Sequence, residues 1–226
     1  MHPRHVSADL QPFLYLLPTK LARDESGAVK LKWPEGEGPF GHSKPLAANP
    51  ATCAIRSQRK VFNAEECERI ITLGESLAAV DAGVEKGENR YRVGRISWIE
   101  PDERAAWIFH RLGLAFLEAN RDYGFELIGF ADALQYTVYG SAERFDWHMD
   151  LGPGRTSARK LSMTVQLSPP EDYTGGDLEF VGNAHTGDRS RGSATIFPAY
   201  VGHRVSPVGR GTRRSLVAWA YGPSFR

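Results

Sequence analysis

Two residues near the middle of the chain, His148 and Asp150, have the side-chain types and the spacing of metal ligands. They lie in the segment FDWHMDLG, which is predicted to be a β-strand, and residues i and i+2 of a strand point to the same face. We therefore expect the imidazole and the carboxylate to stand side by side, with Met149 pointing away. Because a His-x-Asp pair is by itself often only a surface pair, a metal site needs a third ligand from elsewhere.

The candidate third ligand is His203, which lies 55 residues further along, in the segment AYVGHRVSP. Two histidines and one carboxylate on one face of a divalent ion leave the other coordination positions open. This donor set is the facial triad of non-haem Fe(II) oxygenases. We expect the three residues to be the metal ligands and the catalytic centre.

Arg213 follows His203 by ten residues, across the turn-forming sequence PVGRG. The chain can leave the metal strand, reverse, and place Arg213 on the neighbouring strand, pointing into the same barrel. A buried guanidinium needs a partner because an unpaired buried charge is costly, and a carboxylate of a dianionic ligand can pair with it bidentately. Arg214 is expected on the opposite face of that strand.

The elements that must position these residues change type near residue 125. Before it, Asn63 and Glu66 form the capping box of one predicted helix, and a second helix begins at Pro101 and ends at Gly124. After it, β-forming residues alternate with polar ones, and the predicted strands are 125–130, 133–139, 144–150, 160–168, 177–181, 193–197, 203–206 and 214–221. This order predicts a mainly β, α+β fold: a double-stranded β-helix (jelly roll) with flanking N-terminal helices.

Half of the fourteen prolines fall within the first fifty residues. This uneven distribution predicts an irregular N-terminal arm or cover over residues 1–55. Residues 56–226 are predicted to form a single jelly-roll domain with two covering helices. The sequence leaves open whether the arm is a lid, a dimer contact or a tail, and it leaves the oligomeric state open.

The formal net charge of +1 argues against nucleic acid or a membrane surface as the partner. No apolar run has the length of a transmembrane helix or the form of a signal peptide. The two cysteines, Cys53 and Cys67, are too few for a disulfide framework or a cysteine-based zinc site. We therefore expect a cytoplasmic protein.

Several strings around the candidate site resemble a known family. They are LQYTVYGSAERFDWHMD, then RKLSMTVQL followed by YTGGDLEF, then GHRVSPVGRGTRRSLVAW. In this order they are similar to the 2-oxoglutarate- and Fe(II)-dependent dioxygenases, and most closely to the prolyl 4-hydroxylase-like branch. The resemblance covers about Ala133 to Tyr221 and does not extend to the first fifty residues.

The resemblance implies that the two histidines and Asp150 ligate Fe(II), and that Arg213 binds the distal carboxylate of the cosubstrate 2-oxoglutarate. Further residues that it implies on the cosubstrate side are Tyr139, Ser162, Thr164, Gln166 and Trp219. Plain core packing is the alternative for Tyr139, Thr164 and Trp219. Trp147 and Arg155 are candidates for the substrate side, and a solvated surface position is the alternative for Arg155.

The reaction that the resemblance implies is hydroxylation of a C–H bond with O2, with release of succinate and CO2 and with ascorbate as a supporting reductant. The branch points first to proline, peptidyl or free. The alternatives are a biosynthetic hydroxylase of another small molecule or amino acid, and a cupin-like binding module or isomerase without 2-oxoglutarate. Arg213 argues against the cupin-like alternative, because such a site has no reason to bury an arginine there.

Overall fold

The computed structural model describes residues 20–26, 28–32, 49–82, 92–182 and 186–224. The chain divides into two compact units between Asn49 and Pro50. The boundary expected between residues 55 and 56 stays a prediction, as does the irregular arm, most of which lies outside the described residues.

In the first unit the structure describes one β-hairpin, formed by β1 (Lys20–Arg23) and β2 (Val29–Lys32). The carboxylate of Asp24 accepts hydrogen bonds from the backbone N–H groups of Ser26 and Ala28, at 3.0 and 3.1 Å. An aspartate that binds the backbone ahead of it in this way stabilises a turn, which is why the chain reverses here.

The second unit contains two α-helices and the remaining strands. The helices are α1 (Ala64–Glu75) and α2 (Ala106–Tyr123). The strands are β3 (Arg56–Gln58), β4 (Val80–Asp81), β5 (Arg92–Val93), β6 (Arg95–Ile99), β7 (Leu134–Tyr139), β8 (Arg144–His148), β9 (Arg159–Gln166), β10 (Tyr173–Gly175), β11 (Leu178–Phe180), β12 (Ala194–Pro198), β13 (His203–Val205), β14 (Val208–Gly211) and β15 (Arg213–Tyr221). Short 3₁₀ helices span Pro50–Cys53, Gly154–Ala158 and Pro170–Asp172.

The strands form two principal antiparallel sheets. The seven-stranded sheet has the order β3-β12-β9-β15-β7-β6-β4, the four-stranded sheet has the order β11-β13-β8-β5, and β10 pairs with β14. Side chains from both principal sheets line one cavity, so these sheets face each other. The predicted mainly β jelly roll with two helices is confirmed.

The seven-stranded sheet separates the helix-packed core from the cavity by period-two alternation. In β7, Leu134 and Tyr136 are buried in the core shared with α1 and α2, whereas Gln135, Thr137 and Tyr139 line the cavity. The same alternation continues in β9 and β15. One strand pattern therefore supplies both the folding core and the cavity wall.

Local sequence explains where α1 begins and where α2 ends. Asn63 and Glu66 form the predicted capping box at the start of α1, and Gly124, with φ 70°, ends α2 as predicted. The start of α2 differs from the prediction, because it begins at Ala106 and not at Pro101. Asp102 instead accepts a hydrogen bond from the N–H of Ala105 at 3.0 Å and closes a separate turn. Among the described residues, no helix combines the length and hydropathy needed to cross a bilayer.

The strand predicted over residues 125–130 is wrong. Phe125 and Leu127 pack against the core as the alternation suggested, but only Gly129 forms an isolated bridge, to Tyr221. The segment runs past the end of β15 and lacks a partner strand of useful length, so its apolar pattern reflects packing without sheet pairing.

Candidate active site

Strand pairing brings the three predicted metal ligands together. The antiparallel register of β8 and β13 places His148 opposite His203, with ring centroids 4.2 Å apart. The N–H of Asp150 donates to the carbonyl of Ala199 at 3.0 Å, which holds the carboxylate beside the two rings. One ligand atom from each of the three residues lies within 4.8 Å of the others.

Backbone carbonyls fix the tautomers of both histidines. Nδ1 of His148 lies 2.8 Å from the carbonyl of Asp146, and Nδ1 of His203 lies 3.0 Å from that of Val201. Because a carbonyl oxygen only accepts, Nδ1 of each ring carries a proton, and the tautomer selected for the neutral ring has its lone pair on Nε2. The Nε2 atoms lie 3.8 and 3.6 Å from the two carboxylate oxygens of Asp150, so three donors converge.

The ionisation of the cluster also suits a metal. Burial and the neighbouring His203 lower the pKa of His148 to about 4, against an opposing effect of Asp150. Burial by itself raises the pKa of Asp150, but His203 and a hydrogen bond from Ser162 outweigh it, so this pKa lies below its ordinary value. Near neutral pH the donors are therefore a neutral imidazole and a carboxylate, the forms that bind a divalent ion.

Trp219 and Arg159 flank the carboxylate of Asp150 on the seven-stranded sheet. The indole N–H of Trp219 is close enough to lower the pKa of Asp150, but it makes no hydrogen bond of normal geometry with a described residue. The guanidinium carbon of Arg159 lies 3.8 Å from the indole ring centroid, and Nη1 donates to the carbonyl of Asp150 at 3.2 Å. Asp132 pairs with the same guanidinium, so Arg159 is held in place.

Arg213 lies in the cavity as predicted, but the chain between His203 and Arg213 follows a different path from the predicted one. The sequence PVGRG is not a simple reversal, because Val208–Gly211 forms β14, which pairs with β10. Arg213 therefore opens β15 on the seven-stranded sheet, opposite the sheet that carries His203, and its placement on a neighbouring strand was wrong. Its side chain is buried and Nη1 contacts Ser215 Oγ at 3.3 Å, while no described carboxylate lies within ion-pair distance.

The cavity has a volume of about 380 Å³ and extends from the His148, Asp150 and His203 cluster to Arg213. The metal-ligand cluster lies toward its open end, where Trp98 and Met149 are partly exposed, and Arg213 lies at the deep end beside Tyr139. Met149 was expected to point away from the ligands, but it lies on this rim because β8 ends at His148 and the strict alternation ends with it.

The other cosubstrate-side residues divide into two groups. Tyr139, Thr164 and Trp219 line the cavity. Ser162 lies behind Asp150, with Oγ donating to Oδ2 at 2.6 Å. Gln166 does not line the cavity, and its amide donates to the carbonyl of Ser168 at 3.2 Å, because β9 ends there. The roles expected for these residues stay predictions.

The donor chemistry fits iron and 2-oxoglutarate. Two imidazoles and a carboxylate form a facial set. A buried guanidinium at the far end of the same cavity suits the distal carboxylate of a dicarboxylic acid. Arg213 needs such a partner, since burying an unpaired charge is unfavourable.

Comparison with known proteins places the chain in a family. A family profile described as the 2OG-Fe(II) oxygenase superfamily matches residues 134–221. A PKHD-type hydroxylase of Cupriavidus pinatubonensis is 30% identical over 173 residues, which cover 71% of this chain and 75% of that protein. The chain belongs to the PKHD-type hydroxylases of the 2OG-Fe(II) oxygenase superfamily. The family predicted from the motifs is thereby confirmed.

Two further comparisons define how far the likeness reaches. A PKHD-type hydroxylase of Acaryochloris marina is 36% identical over 91 residues, and the chain spans only 40% of the length of that relative. The crystal structure of a Pseudomonas putida prolyl-4-hydroxylase aligns with a TM-score of 0.58 at 23% identity, covering 77% of this chain and 95% of that chain. This structural likeness shows the shared fold.

The two candidate substrate-side residues of the chain, Trp147 and Arg155, lie outside the cavity wall. Trp147 is 42% exposed, and the guanidinium carbon of Arg204 lies 4.8 Å from its ring centroid. Arg155 is also exposed and pairs with Asp132 at 2.6 Å. Their roles in substrate binding stay predictions.

Sequence reasoning missed two arginines that line the cavity, Arg92 and Arg159. Arg159 precedes Ser162 by three residues, so strict alternation places it on the other face. A register irregularity where Tyr221 pairs with Arg159 turns it inward. Arg92 lies in a two-residue strand, and such a short strand carries no periodicity that could have marked it.

Proposed function

We propose that the protein is an Fe(II)- and 2-oxoglutarate-dependent hydroxylase that uses O2 to hydroxylate a C–H bond of proline, peptidyl or free, with release of succinate and CO2. The observation that carries the proposal is a single cavity with a His-Asp-His cluster at one end and a buried arginine without a carboxylate partner among the described residues at the other. Fe(II), when bound, supplies the oxygen activation and C–H cleavage that no side chain provides.

The chain's own residues hold and orient the reactants. His148, Asp150 and His203 would hold the ion through one donor atom each. Arg213 pairs with the distal carboxylate of 2-oxoglutarate and so directs its 2-oxo acid end toward the cluster. Tyr139 lies opposite Arg213 in the strand register, with its ring centroid 6.0 Å from the guanidinium carbon, and we assign its hydroxyl as a further donor to the cosubstrate.

Proline is supported as the substrate by the shape and polarity of the cavity mouth. Trp98 and Trp219, with ring centroids 6.4 Å apart, and Met149 give apolar surfaces for a pyrrolidine ring at the metal end. Aromatic faces of this kind bind apolar rings and exclude water from the reacting bond. The Pseudomonas putida protein with the same fold is a prolyl-4-hydroxylase. Another small molecule or amino acid is the alternative substrate.

The test is formation of succinate by the purified protein with Fe(II), O2, 2-oxoglutarate and ascorbate, which we expect to support turnover by keeping the iron reduced. Succinate should require His148 and Arg213, so His148→Ala and Arg213→Met proteins and a Zn(II)-loaded sample are the controls. Proline-containing peptides, free proline and other amino acids are then screened for a mass gain of one oxygen atom.

The outcomes separate the candidate functions. Iron-dependent succinate with oxygen gained only by prolines supports the whole proposal. Oxygen gained only by another compound replaces proline with that substrate class. If the protein neither binds 2-oxoglutarate nor forms succinate, the proposal is overturned in favour of a cupin-like metal-binding module or isomerase.

A further inference from the structure

We propose that Arg92 is a second carboxylate-binding residue of the cavity, distinct from Arg213, and that it takes a carboxylate at the metal end. This inference rests on the proposed function and deepens it. The carboxylate comes from one of two sources, the 2-oxo acid end of the cosubstrate or the substrate, and the chemistry of recognition is the same for both.

The ring of Phe145 contacts both Arg92 and the metal-ligand candidate His148. Arg92 lies on the edge strand β5, opposite Phe145 of β8 in the register. Its guanidinium carbon lies 4.5 Å from the Phe145 ring centroid, and that ring stacks on His148 with centroids 3.5 Å apart. Nη1 lies 3.4 Å from Oε1 of Gln135 on the facing sheet, so the side chain spans the cavity between the two sheets.

The guanidinium of Arg92 is poorly satisfied by the described part of the chain. Its Nε is buried without a hydrogen-bond partner, and the contact with Gln135 is long for a hydrogen bond. No carboxylate among the described residues pairs with it. Other arginines of this unit do have acidic partners: Arg159 with Asp132, Arg189 with Asp177, Arg204 with Glu179 and Arg214 with Glu75.

The sum of the charges that face the cavity favours the binding of one more anion. Arg92 and Arg213 each contribute one positive charge, and Arg159 is neutralised by Asp132. With a divalent ion bound, these charges exceed those of Asp150 and of a dianionic cosubstrate by one positive unit. The loaded site therefore favours one further carboxylate, or a closer contact to the metal-side carboxylate of the cosubstrate.

Arg92 and Arg213 meet β7 at different depths. Arg213 is opposite Tyr139 in the register, whereas Gln135, which Arg92 contacts, is opposite Val217. Four residues separate these positions, or about 13 Å along a strand. The two arginines therefore approach the cavity from different depths, although both lie close enough to Tyr139 to lower its pKa against the effect of burial.

The first experiment measures binding of two 2-oxo acids to the Zn(II)-loaded protein, in which no turnover occurs. The probes are 2-oxoglutarate and 2-oxopentanoate, which lacks the distal carboxylate, and the readout is calorimetric. Arg213→Met should abolish the preference for 2-oxoglutarate. If the cosubstrate supplies the carboxylate, Arg92→Met should weaken both acids by about 10- to 100-fold and keep that preference, as expected for loss of a charged hydrogen bond.

The second experiment tests the substrate as the source. The probes are N-acetyl-L-proline and N-acetyl-L-prolinamide, titrated against protein loaded with Zn(II) and 2-oxoglutarate. If the substrate supplies the carboxylate, the wild type should bind the acid at least several-fold more tightly than the amide, and Arg92→Met should remove that difference. Arg214→Met is the matched control, because this arginine pairs with Glu75 of α1 and does not line the cavity.

The result that would overturn the proposal is unchanged binding of all four probes in Arg92→Met and in Arg92→Gln, each checked by its unfolding curve. Arg92 would then only connect the two sheets. If the wild-type protein binds neither 2-oxo acid, the proposed function itself fails and this inference fails with it. A defect confined to Arg92 variants, with 2-oxoglutarate still preferred, distinguishes the two.

Discussion

Ser162 Oγ donates a hydrogen bond of 2.6 Å to Oδ2 of Asp150 and thereby ties the seven-stranded sheet to a metal ligand at the end of the four-stranded sheet. The bond stabilises the ionised carboxylate and contributes to the lowered pKa of Asp150. It also fixes which carboxylate oxygen faces His203, whose Nε2 lies 3.6 Å from the same oxygen.

Replacing Ser162 with alanine should weaken metal binding without unfolding the protein. Residues that orient a metal ligand typically contribute about 10- to 100-fold to affinity, and we expect about tenfold here. Competition with a chelator measures the affinity for Zn(II). Ser157→Ala is the control, because among the described residues its hydroxyl donates a hydrogen bond only to the carbonyl of Gly154. Equal affinities of the two variants would contradict the role given to Ser162.

Arg213 and Arg214 are adjacent in sequence but point to opposite faces of β15. Arg213 faces the cavity, and Arg214 pairs with Glu75 of α1 at 2.9 Å. Arg213→Met should weaken 2-oxoglutarate binding by about 30-fold or more, because a charged hydrogen bond is lost. Arg214→Met should leave that affinity unchanged. Calorimetry with the Zn(II)-loaded proteins checks both, and a loss shared equally by the two variants would refute the assignment.

Gly176 gives Arg213 the space that it occupies. A Cβ at this position would lie 3.0 Å from Cδ of Arg213 and 3.0 Å from Cγ2 of Val208. Gly176→Ala should therefore displace the guanidinium and weaken 2-oxoglutarate binding several-fold.

Gly182→Ala is the matched control for this variant. Both glycines have positive φ, 64° and 72°, so each substitution carries a similar backbone cost of about 1 kcal/mol. A Cβ at Gly182 would meet no atom of the described residues within 4 Å. The two variants should lose similar stability in urea unfolding but differ in ligand affinity, and equal affinities would show that Gly176 does not position Arg213.

Asp132 should make the stability of the protein depend on acid pH. Burial raises its pKa, but hydrogen bonds from Tyr221 and Arg159 and the charges of Arg159 and Arg155 outweigh this, so the folded pKa lies below 3.8. A group with a lowered folded pKa stabilises the protein above its unfolded pKa, and this contribution is lost as the pH falls through the folded value.

Asp132→Asn should lower the free energy of unfolding by about 2 kcal/mol at pH 7, because Arg159 loses a buried partner. The difference from wild type should be constant above about pH 5 and shrink below about pH 4. Urea unfolding at a series of pH values measures it. Glu118→Gln removes an exposed ion pair with Arg121 and serves as the control. A pH-independent difference would contradict the lowered pKa.

The fold class and the nearness of His148 to Asp150 could be predicted because local rules determine them. Period-two alternation predicted most strands of the jelly roll, and the His-x-Asp spacing keeps the two donors close even though regular alternation ends at His148. The capping box at Asn63 and the helix end at Gly124 depend on neighbouring residues alone, so they could also be predicted from the sequence. These features involve a residue and its near neighbours, and sequence encodes them directly.

Departures from strand periodicity were not predictable. The chain leaves regular alternation at Met149, at the irregular pairing of Tyr221 with Arg159, and at β14, which had been read as a turn. Each departure depends on which strand pairs alongside, and residues far apart in the sequence decide that.

The sequence by itself determined the donor types, their spacing and the family, because ligand chemistry and strand periodicity are local properties. Only the tertiary structure decided which guanidinium groups face the cavity and which are neutralised. Arg159 has Asp132 as a partner 27 residues away, and Arg92 has no carboxylate partner among the described residues. The sequence does not show which charged groups lie near a given arginine. The function of the arginine depends on the charges that the fold places within a few ångströms of it.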